Sequence, residues 1–261
     1  MVMLVELQIG DYVTRNSYNN DTIFKIVDIK NNIVLLKGVD IRLFADSNID
    51  DLVKCEYENK DDELVDSIIM RDDLDRSEYF YLPAKVLHID GDKDYLNRCL
   101  EFYKKANILA IGEYVSEKDL PNTIFKLLKK YKPDILIITG HDSINKSVDI
   151  NDINNYKNSK NFVKAVFQAR EYEKSHERLV IIAGACQSDY EALIKAGANF
   201  ASSPKRINIH ALDPAIIAVN LALTEKGKEI NLIELLDKTK YGKDGIGGLK
   251  SNGMMYVGYP R

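Results

Sequence analysis

The sequence is poor in the residues that mark several classes of protein. Its 261 residues include three cysteines, fourteen glycines, six prolines and no tryptophan. The cysteines lie far apart and form no Cys-x-x-Cys pair, which excludes a disulfide framework and a zinc site of ordinary spacing and suits a reducing compartment. So few glycines and prolines exclude a collagen-like or low-complexity chain. With 45% apolar residues, the chain is able to bury a core of its own.

Targeting and binding segments are also lacking. No apolar run reaches the length of about 18 residues that a membrane span needs, and the N-terminus meets Glu6 before a signal-length apolar core develops. Basic residues form no run typical of a nucleic-acid patch, and the aromatic residues are scattered. We therefore expect a cytoplasmic protein with no signal peptide, which contacts neither a membrane nor nucleic acid. No motif for a metal or a nucleotide is present, so we expect no cofactor.

The charge and the apolar pattern divide the chain into three segments. Residues 1–54 hold short alternating apolar runs separated by Gly, Asn and Asp, which predicts a small antiparallel β-barrel of SH3-like size. Residues 55–80 contain three basic and ten acidic residues, so we expect an acidic linker, part of it with helical spacing. Residues 81–261 alternate apolar strands with helical stretches, which predicts an open α/β sandwich with a mostly parallel sheet.

Two predicted strands of the third segment end in residues that suit catalysis. The strand at 135–138 leads to Gly140 and His141, and the strand at 179–182 leads to Cys186. Because catalytic residues gather at the carboxyl ends of parallel strands, we expect this histidine and cysteine to lie close together. A thiolate is a nucleophile, and a nearby imidazole both favours it and protonates a leaving amine. The pair predicts a cysteine protease, with backbone N–H groups of Gly140 and Cys186 stabilising the oxyanion.

Longer blocks around these residues resemble the sporulation-specific protease family YabG of endospore-forming bacteria. The resemblance covers nearly the whole chain, and its blocks lie at residues 9–11, 17–18, 42–47, 83–92, 131–142, 183–188 and 196–214. It implies a cysteine endopeptidase that trims spore coat and related spore proteins during sporulation and cuts after basic residues. Cys186 matches the family's nucleophile and His141 its general base. The protein would then act in the cytoplasm of the sporulating cell, in association with the spore coat.

A fainter similarity to caspase-like peptidases implies a caspase-like architecture for residues 81–261. Those peptidases have His-Gly and Ala-Cys after their apolar strands. Here Ala185 and Cys186 match the second pair, whereas His141 is followed by Asp142. The caspase cysteine signature also fails at Gly184, Gln187 and Ser188. Caspase-like specificity is therefore not expected.

Other polar residues compete for the supporting roles. His210 is the main rival of His141 as the base, although a histidine that packs in a loop is the ordinary alternative. Asp142 is a candidate to orient His141 or to bind substrate. A basic substrate side chain needs a carboxylate in its pocket, and the residues able to supply it are Asp90, Asp92, Asp142, Asp189 and Asp213.

Two other functions stay open at the level of sequence. A non-enzymatic module for spore-coat assembly would use Cys186 only for packing. An amidase-type cysteine hydrolase typically has Gly two residues after its cysteine, where this chain has Ser188. For a protease that cuts after basic residues, Arg71 and Arg76 in the acidic linker predict self-cleavage. Near the C-terminus, Gly245, Gly247 and Gly248 predict a flexible loop on the substrate side.

Overall fold

The computed structural model describes residues 7–69, 77–145 and 149–260. The chain divides into two compact units, Met1–Lys60 and Asp61–Arg261. Arg71 and Arg76, where self-cleavage is predicted, lie outside the described residues. Among the helices within the described ranges, none is long and apolar enough to cross a membrane.

The first unit contains a five-stranded antiparallel sheet. Its strands, in chain order, are β1 (Tyr12–Arg15), β2 (Phe24–Lys30), β3 (Ile33–Gly38), β4 (Phe44–Asn48) and β5 (Leu52–Lys54). They are arranged in the order β4-β3-β2-β1-β5. Alternation along the strands buries one face, where the core consists of Val13, Phe24, Ile26, Val34 and Leu36. This antiparallel arrangement is consistent with the predicted barrel.

The second unit alternates strands with helices. Its helices are α1 (Asp61–Ile69), α2 (Lys93–Lys105), α3 (Leu120–Tyr131), α4 (Ser159–Tyr172), α5 (Tyr190–Lys195), α6 (Asp213–Leu223) and α7 (Leu232–Asp237). Its central sheet contains β7 (Val86–Asp90), β8 (Ala110–Tyr114), β9 (Ile135–Thr139), β10 (Val180–Ala183), β11 (Phe200–Ser202) and β12 (Ile246–Gly248). Two further strands, β6 (Phe80–Leu82) and β13 (Tyr256–Gly258), form a separate antiparallel pair.

The strand order of the central sheet creates a crevice at its carboxyl edge. The order is β12-β11-β10-β9-β7-β8, and all neighbours are parallel except β12 with β11. From β7 the chain passes to β8 on one side and then to β9 on the other, so the direction of winding reverses between β7 and β9. Such a switch point leaves a crevice at the carboxyl ends of the two strands, where ligands of open α/β sheets bind.

Apolar helices cover both faces of this sheet. One face packs against α3, α4 and α5 through residues such as Ile124, Phe162 and Leu193. The other face packs against α2, α6 and α7, with Phe102 and Ile217 among the buried residues. Strands β7, β9 and β10 are buried along their whole length, as near-continuous apolar runs require. The predicted α/β fold with a mostly parallel sheet is confirmed.

The loop predicted near the C-terminus is wrong, because Gly247 and Gly248 belong to strand β12. A Cβ atom on Gly247 would lie 2.8 Å from the Tyr190 hydroxyl, and one on Gly248 would lie 2.5 Å from the Asn199 carbonyl oxygen. These glycines allow the last strand of the sheet to approach its neighbours closely. Close backbone approach, rather than flexibility, explains the glycine pair.

Candidate active site

Asp92 and His141 meet at the crevice between β7 and β9. His141 Nε2 lies 2.9 Å from Asp92 Oδ2. The other oxygen, Oδ1, accepts hydrogen bonds from the backbone N–H groups of Asp94 and Tyr95, at 3.0 and 3.3 Å, and so caps α2. The Asp92 side chain is nearly buried, whereas the imidazole is 22% exposed. Because the helix cap fixes the carboxylate, Asp92 holds the imidazole in one orientation.

A chain of fully buried polar side chains from β7, β9 and α2 adjoins this pair. The Thr139 hydroxyl donates to Asp90 Oδ2 at 2.7 Å, so its oxygen accepts from His88 Nε2–H, 2.8 Å away. His88 Nδ1 then accepts from the Tyr103 hydroxyl at 2.9 Å. Asp90 Oδ1 accepts from the backbone N–H of Asp92 at 2.8 Å. The network therefore holds the backbone of Asp92, the residue that contacts the partly exposed imidazole of His141.

Cys186 follows β10, the strand next to β9. Its side chain is buried, with 3% of its surface exposed. The backbone N–H of Ile209 donates to the sulfur at 3.3 Å, and the Ile209 carbonyl oxygen, 4.0 Å from the sulfur, is an acceptor for the thiol. Gly184, two residues earlier, has φ +108°, a conformation that glycine adopts readily. This turn carries the cysteine away from the strand.

A buried carboxylate joins the loop of His141 to the loop of Cys186. The Asp142 carboxylate accepts four hydrogen bonds, from the hydroxyls of Ser159 and Ser188 and from the backbone N–H groups of Ser143 and Asn158. Its distance from Ser188 Oγ is 3.0 Å, and that oxygen accepts from the Ala185 N–H at 2.9 Å. Burial raises the pKa of Asp142 despite these partners. Asp142 is placed to hold the two loops together, whereas Asp92 contacts the imidazole.

Asp189 holds the segments that follow Cys186. Its Oδ1 accepts from the backbone N–H of Ala192 and caps α5. The same oxygen lies 3.4 Å from the guanidinium of Arg206, which also bonds Glu191. Like Asp90 and Asp142, Asp189 is buried and engaged with neighbouring groups of the second unit.

His210 and Asp213 lie on the segment that passes the cysteine. His210 directly follows Ile209, whose main chain contacts the Cys186 sulfur. His210 Nδ1 accepts from the backbone N–H of Leu212 at 3.2 Å. The backbone N–H of His210 donates to Asp213 Oδ2 at 3.1 Å. Asp213 is fully buried at the start of α6. The predicted rival base therefore lies on a segment that contacts the sulfur.

Sequence reasoning missed one residue at this edge, Glu117, in the turn after β8. Its Oε1 accepts from the backbone N–H of His141 at 2.7 Å. In the sequence, Glu117 is one of many acidic residues in polar turns, and no motif marks it. Within the described ranges, no group of three or more His, Cys, Asp or Glu side chains is arranged to hold a metal ion.

The fold and the polar edge define an α/β protein with a carboxylate, an imidazole and a thiol at the ends of three adjacent strands. A family model described as YabG peptidase U57 matches residues 8–260. The sporulation-specific protease YabG of Bacillus subtilis (strain 168) is 40% identical over 289 residues, which cover 98% of this chain and 99% of that protein. The chain therefore belongs to the YabG peptidase family, and it is a peptidase. The resemblance noted in the sequence is confirmed.

Proposed function

We propose that the chain is a cysteine endopeptidase in which Cys186 is the nucleophile, His141 the general base and Asp92 the residue that orients it. The contact of 2.9 Å between His141 Nε2 and Asp92 Oδ2, one strand from the cysteine, carries the proposal. Since Nε2 faces a carboxylate, it keeps its proton, and Nδ1 is the nitrogen that exchanges a proton during the reaction. The Ile209 N–H, which donates to the sulfur, supports a thiolate there.

The proposed reaction has two stages. His141 takes the proton of the Cys186 thiol, the thiolate attacks the scissile carbonyl carbon, and His141 gives that proton to the leaving amine as the acyl-enzyme forms. His141 then takes a proton from water, the resulting hydroxide attacks the acyl group, the carboxylic acid product leaves, and the proton on His141 returns to the sulfur. Of the two predicted oxyanion donors, we assign the larger role to the Cys186 N–H. The Glu117 carboxylate next to Gly140 would oppose a negative charge there.

The proposed substrates are spore coat and related spore proteins, cut after basic residues in the sporulating cell. The identity of 40% to a protein named as a sporulation-specific protease supports action during sporulation. The coat substrates and the preference for basic residues rest on the family resemblance. We further propose an SH3-like barrel that holds substrate and a caspase-like peptidase unit. The parallel sheet, with His141 and Cys186 after adjacent strands, supports the second of these.

A peptide panel tests the proposed function. Peptides with Arg, Lys, Asp or Leu before the scissile bond are given to the wild type, Cys186→Ala and His141→Ala, with His210→Ala as the matched control. We expect cleavage of the Arg and Lys peptides, its loss in the first two variants, and retention in the third. Intact-mass measurements of the same samples report self-cleavage near Arg71 or Arg76.

Other outcomes of the panel favour the alternatives. Loss in His210→Ala with retention in His141→Ala would reverse the choice of base. Release of ammonia from carboxamides without cleavage of peptide bonds would indicate an amidase-type hydrolase. A wild type that cleaves no peptide and retains coat proteins on a column would favour an assembly module.

A further inference from the structure

Glu117 lies across the crevice between the ends of β7 and β9. Its side chain reaches from the turn after β8, and Oε1 accepts from the His141 N–H at 2.7 Å. Among the residues that the structure describes, this is the one hydrogen bond that the Glu117 carboxylate accepts. The side chain is half-buried.

Two glycines make room for this carboxylate. A Cβ atom on Gly91 or on Gly140 would lie under 3.0 Å from Glu117, a separation that real Cβ atoms do not reach. At both positions, the three nearest atoms all belong to Glu117. Neither glycine has a positive φ, so the backbone itself does not require glycine there. Each of the two strand ends thus has a glycine where the Glu117 carboxylate packs.

We propose that Glu117 is a positioning residue that fixes the main chain of His141 while Asp92 fixes its imidazole. This inference rests on the proposed role of His141 as the base. The two carboxylates come from different elements, the turn after β8 and the start of α2, so together they restrict both the backbone and the ring. Such restriction matters because a displacement of about 1 Å can cost roughly a hundredfold in rate.

A second role for Glu117 has a different signature. A half-exposed carboxylate in a crevice also suits the guanidinium of a basic substrate. The two roles separate at Glu117→Gln, because the glutamine carbonyl still accepts from the His141 N–H but carries no charge. If Glu117 positions the histidine, Gln preserves activity; if Glu117 binds the basic side chain, Gln removes the preference for it.

The test measures kcat and KM for Glu117→Ala and Glu117→Gln with an arginine peptide and its neutral citrulline counterpart. We expect Ala to lower kcat by roughly ten- to a hundredfold on both peptides with KM nearly unchanged. Gln should stay close to wild type. Lys118→Ala, an exposed neighbour in the same turn, is the matched control. An unchanged kcat in Glu117→Ala, or a rise in KM confined to the arginine peptide in both variants, would overturn the inference.

A double-mutant cycle tests the packing of the two glycines against Glu117. Gly140→Ala should displace the carboxylate and lower kcat, with little change in thermal stability, because the displaced atoms are the end of a flexible side chain. In the Glu117→Ala background the same change should cost almost nothing, because the atoms it would meet are gone. Additive losses in an active enzyme would overturn the inference alone. A wild type without peptidase activity would instead remove the proposed function, and the inference with it.

Discussion

The two halves of the candidate site are held by opposite kinds of group. Carboxylates surround His141, since Asp92 contacts its imidazole and Glu117 its backbone N–H. At Cys186, by contrast, a backbone N–H donates to the sulfur. In the proposed mechanism a proton passes from the thiol to the imidazole, so the first becomes negative and the second positive. For that proposed transfer, the Asp92 carboxylate suits a positive imidazole and the Ile209 N–H suits a negative sulfur.

The glycines that lie shortly before His141 and Cys186 also differ between the two halves. Gly184, before the cysteine, has φ +108° and shapes a turn that other residues adopt only with strain. Gly140, before the histidine, has no such backbone requirement and instead leaves space for the Glu117 carboxylate. The cysteine half is built by main-chain conformation, whereas the histidine half is built by side-chain packing.

The largest expected effect comes from removing one charge from the histidine half. Asp92→Asn keeps an oxygen for the α2 cap but removes the carboxylate from His141 Nε2. The imidazole then loses the partner that fixes its tautomer and stabilises its charged form. We expect kcat to fall about a hundred- to ten-thousandfold with little change in the melting temperature. Steady-state kinetics and thermal denaturation measure the two quantities.

Glu101→Gln removes a charge from the exposed side of the same helix and is the matched control. It should leave kcat unchanged. If Asp92→Asn also left kcat unchanged, Asp92 would be a helix cap only, and the two halves of the site would not differ in the way described above.

Asp142, which connects the loops of His141 and Cys186, is expected to affect stability, and its effect should depend on pH. Asp142→Asn removes the acceptor of the Ser159 or Ser188 hydroxyl and should lower the free energy of unfolding by about 1–3 kcal/mol. Burial raises the pKa of Asp142 in the folded state, so the folded protein binds this proton more tightly than the unfolded chain. The wild type therefore loses stability as pH rises through the interval between the two pKa values.

Asp142→Asn has no such group, so its deficit relative to wild type should be largest at acidic pH and shrink toward neutral pH. Urea denaturation of both proteins at a series of pH values measures this difference. Asp149→Asn, in an exposed segment, is the control for general charge effects. A deficit that grows with pH would show that the Asp142 carboxylate is stabilised, rather than destabilised, by its surroundings.

Much of the fold could be read from apolar periodicity, because buried parallel strands appear as continuous apolar runs. The runs at 135–138 and 179–182 correspond closely to β9 and β10. At the edge of the sheet the pattern is weaker. The run at 108–111 predicts a strand that the structure begins two residues later, at Ala110, because β8 is only partly buried and its sequence follows less of the apolar pattern.

Contacts between strand ends could not be read in this way. His141 and Cys186 stand out in the sequence because both follow apolar runs. The contact of His141 with Asp92, in contrast, depends on β7 lying beside β9. Strand order follows from the path of the whole chain, and the apolar periodicity of single strands does not indicate it. The same holds for Glu117, which meets Gly91 and Gly140 only because β8 lies beside β7. Short polar turns become a site once the sheet brings them together.

The smallest effect is expected in the rate of thiol labelling, when Cys186 is compared with Cys55, a cysteine outside the site. Burial raises the pKa of the Cys55 thiol, which disfavours its thiolate at neutral pH. Cys186 is less exposed than Cys55, but it receives an N–H donor and follows a strand next to that of the histidine. We expect Cys186 to react about tenfold faster with iodoacetamide at pH 7. Mass spectrometry of timed digests measures both rates in one sample.

His141→Ala separates reactivity from access in this comparison. If the imidazole favours the thiolate, the variant should slow labelling of Cys186 and leave Cys55 unchanged, because nothing else in the reagent or the fold differs. Cys99, whose sulfur contacts the Ala211 carbonyl oxygen in the core, should stay unlabelled in both proteins and report that the fold is intact. Labelling of Cys186 that is slower than that of Cys55 in the wild type would mean that the N–H donor does not outweigh burial, and the cysteine half would then be a packed core site.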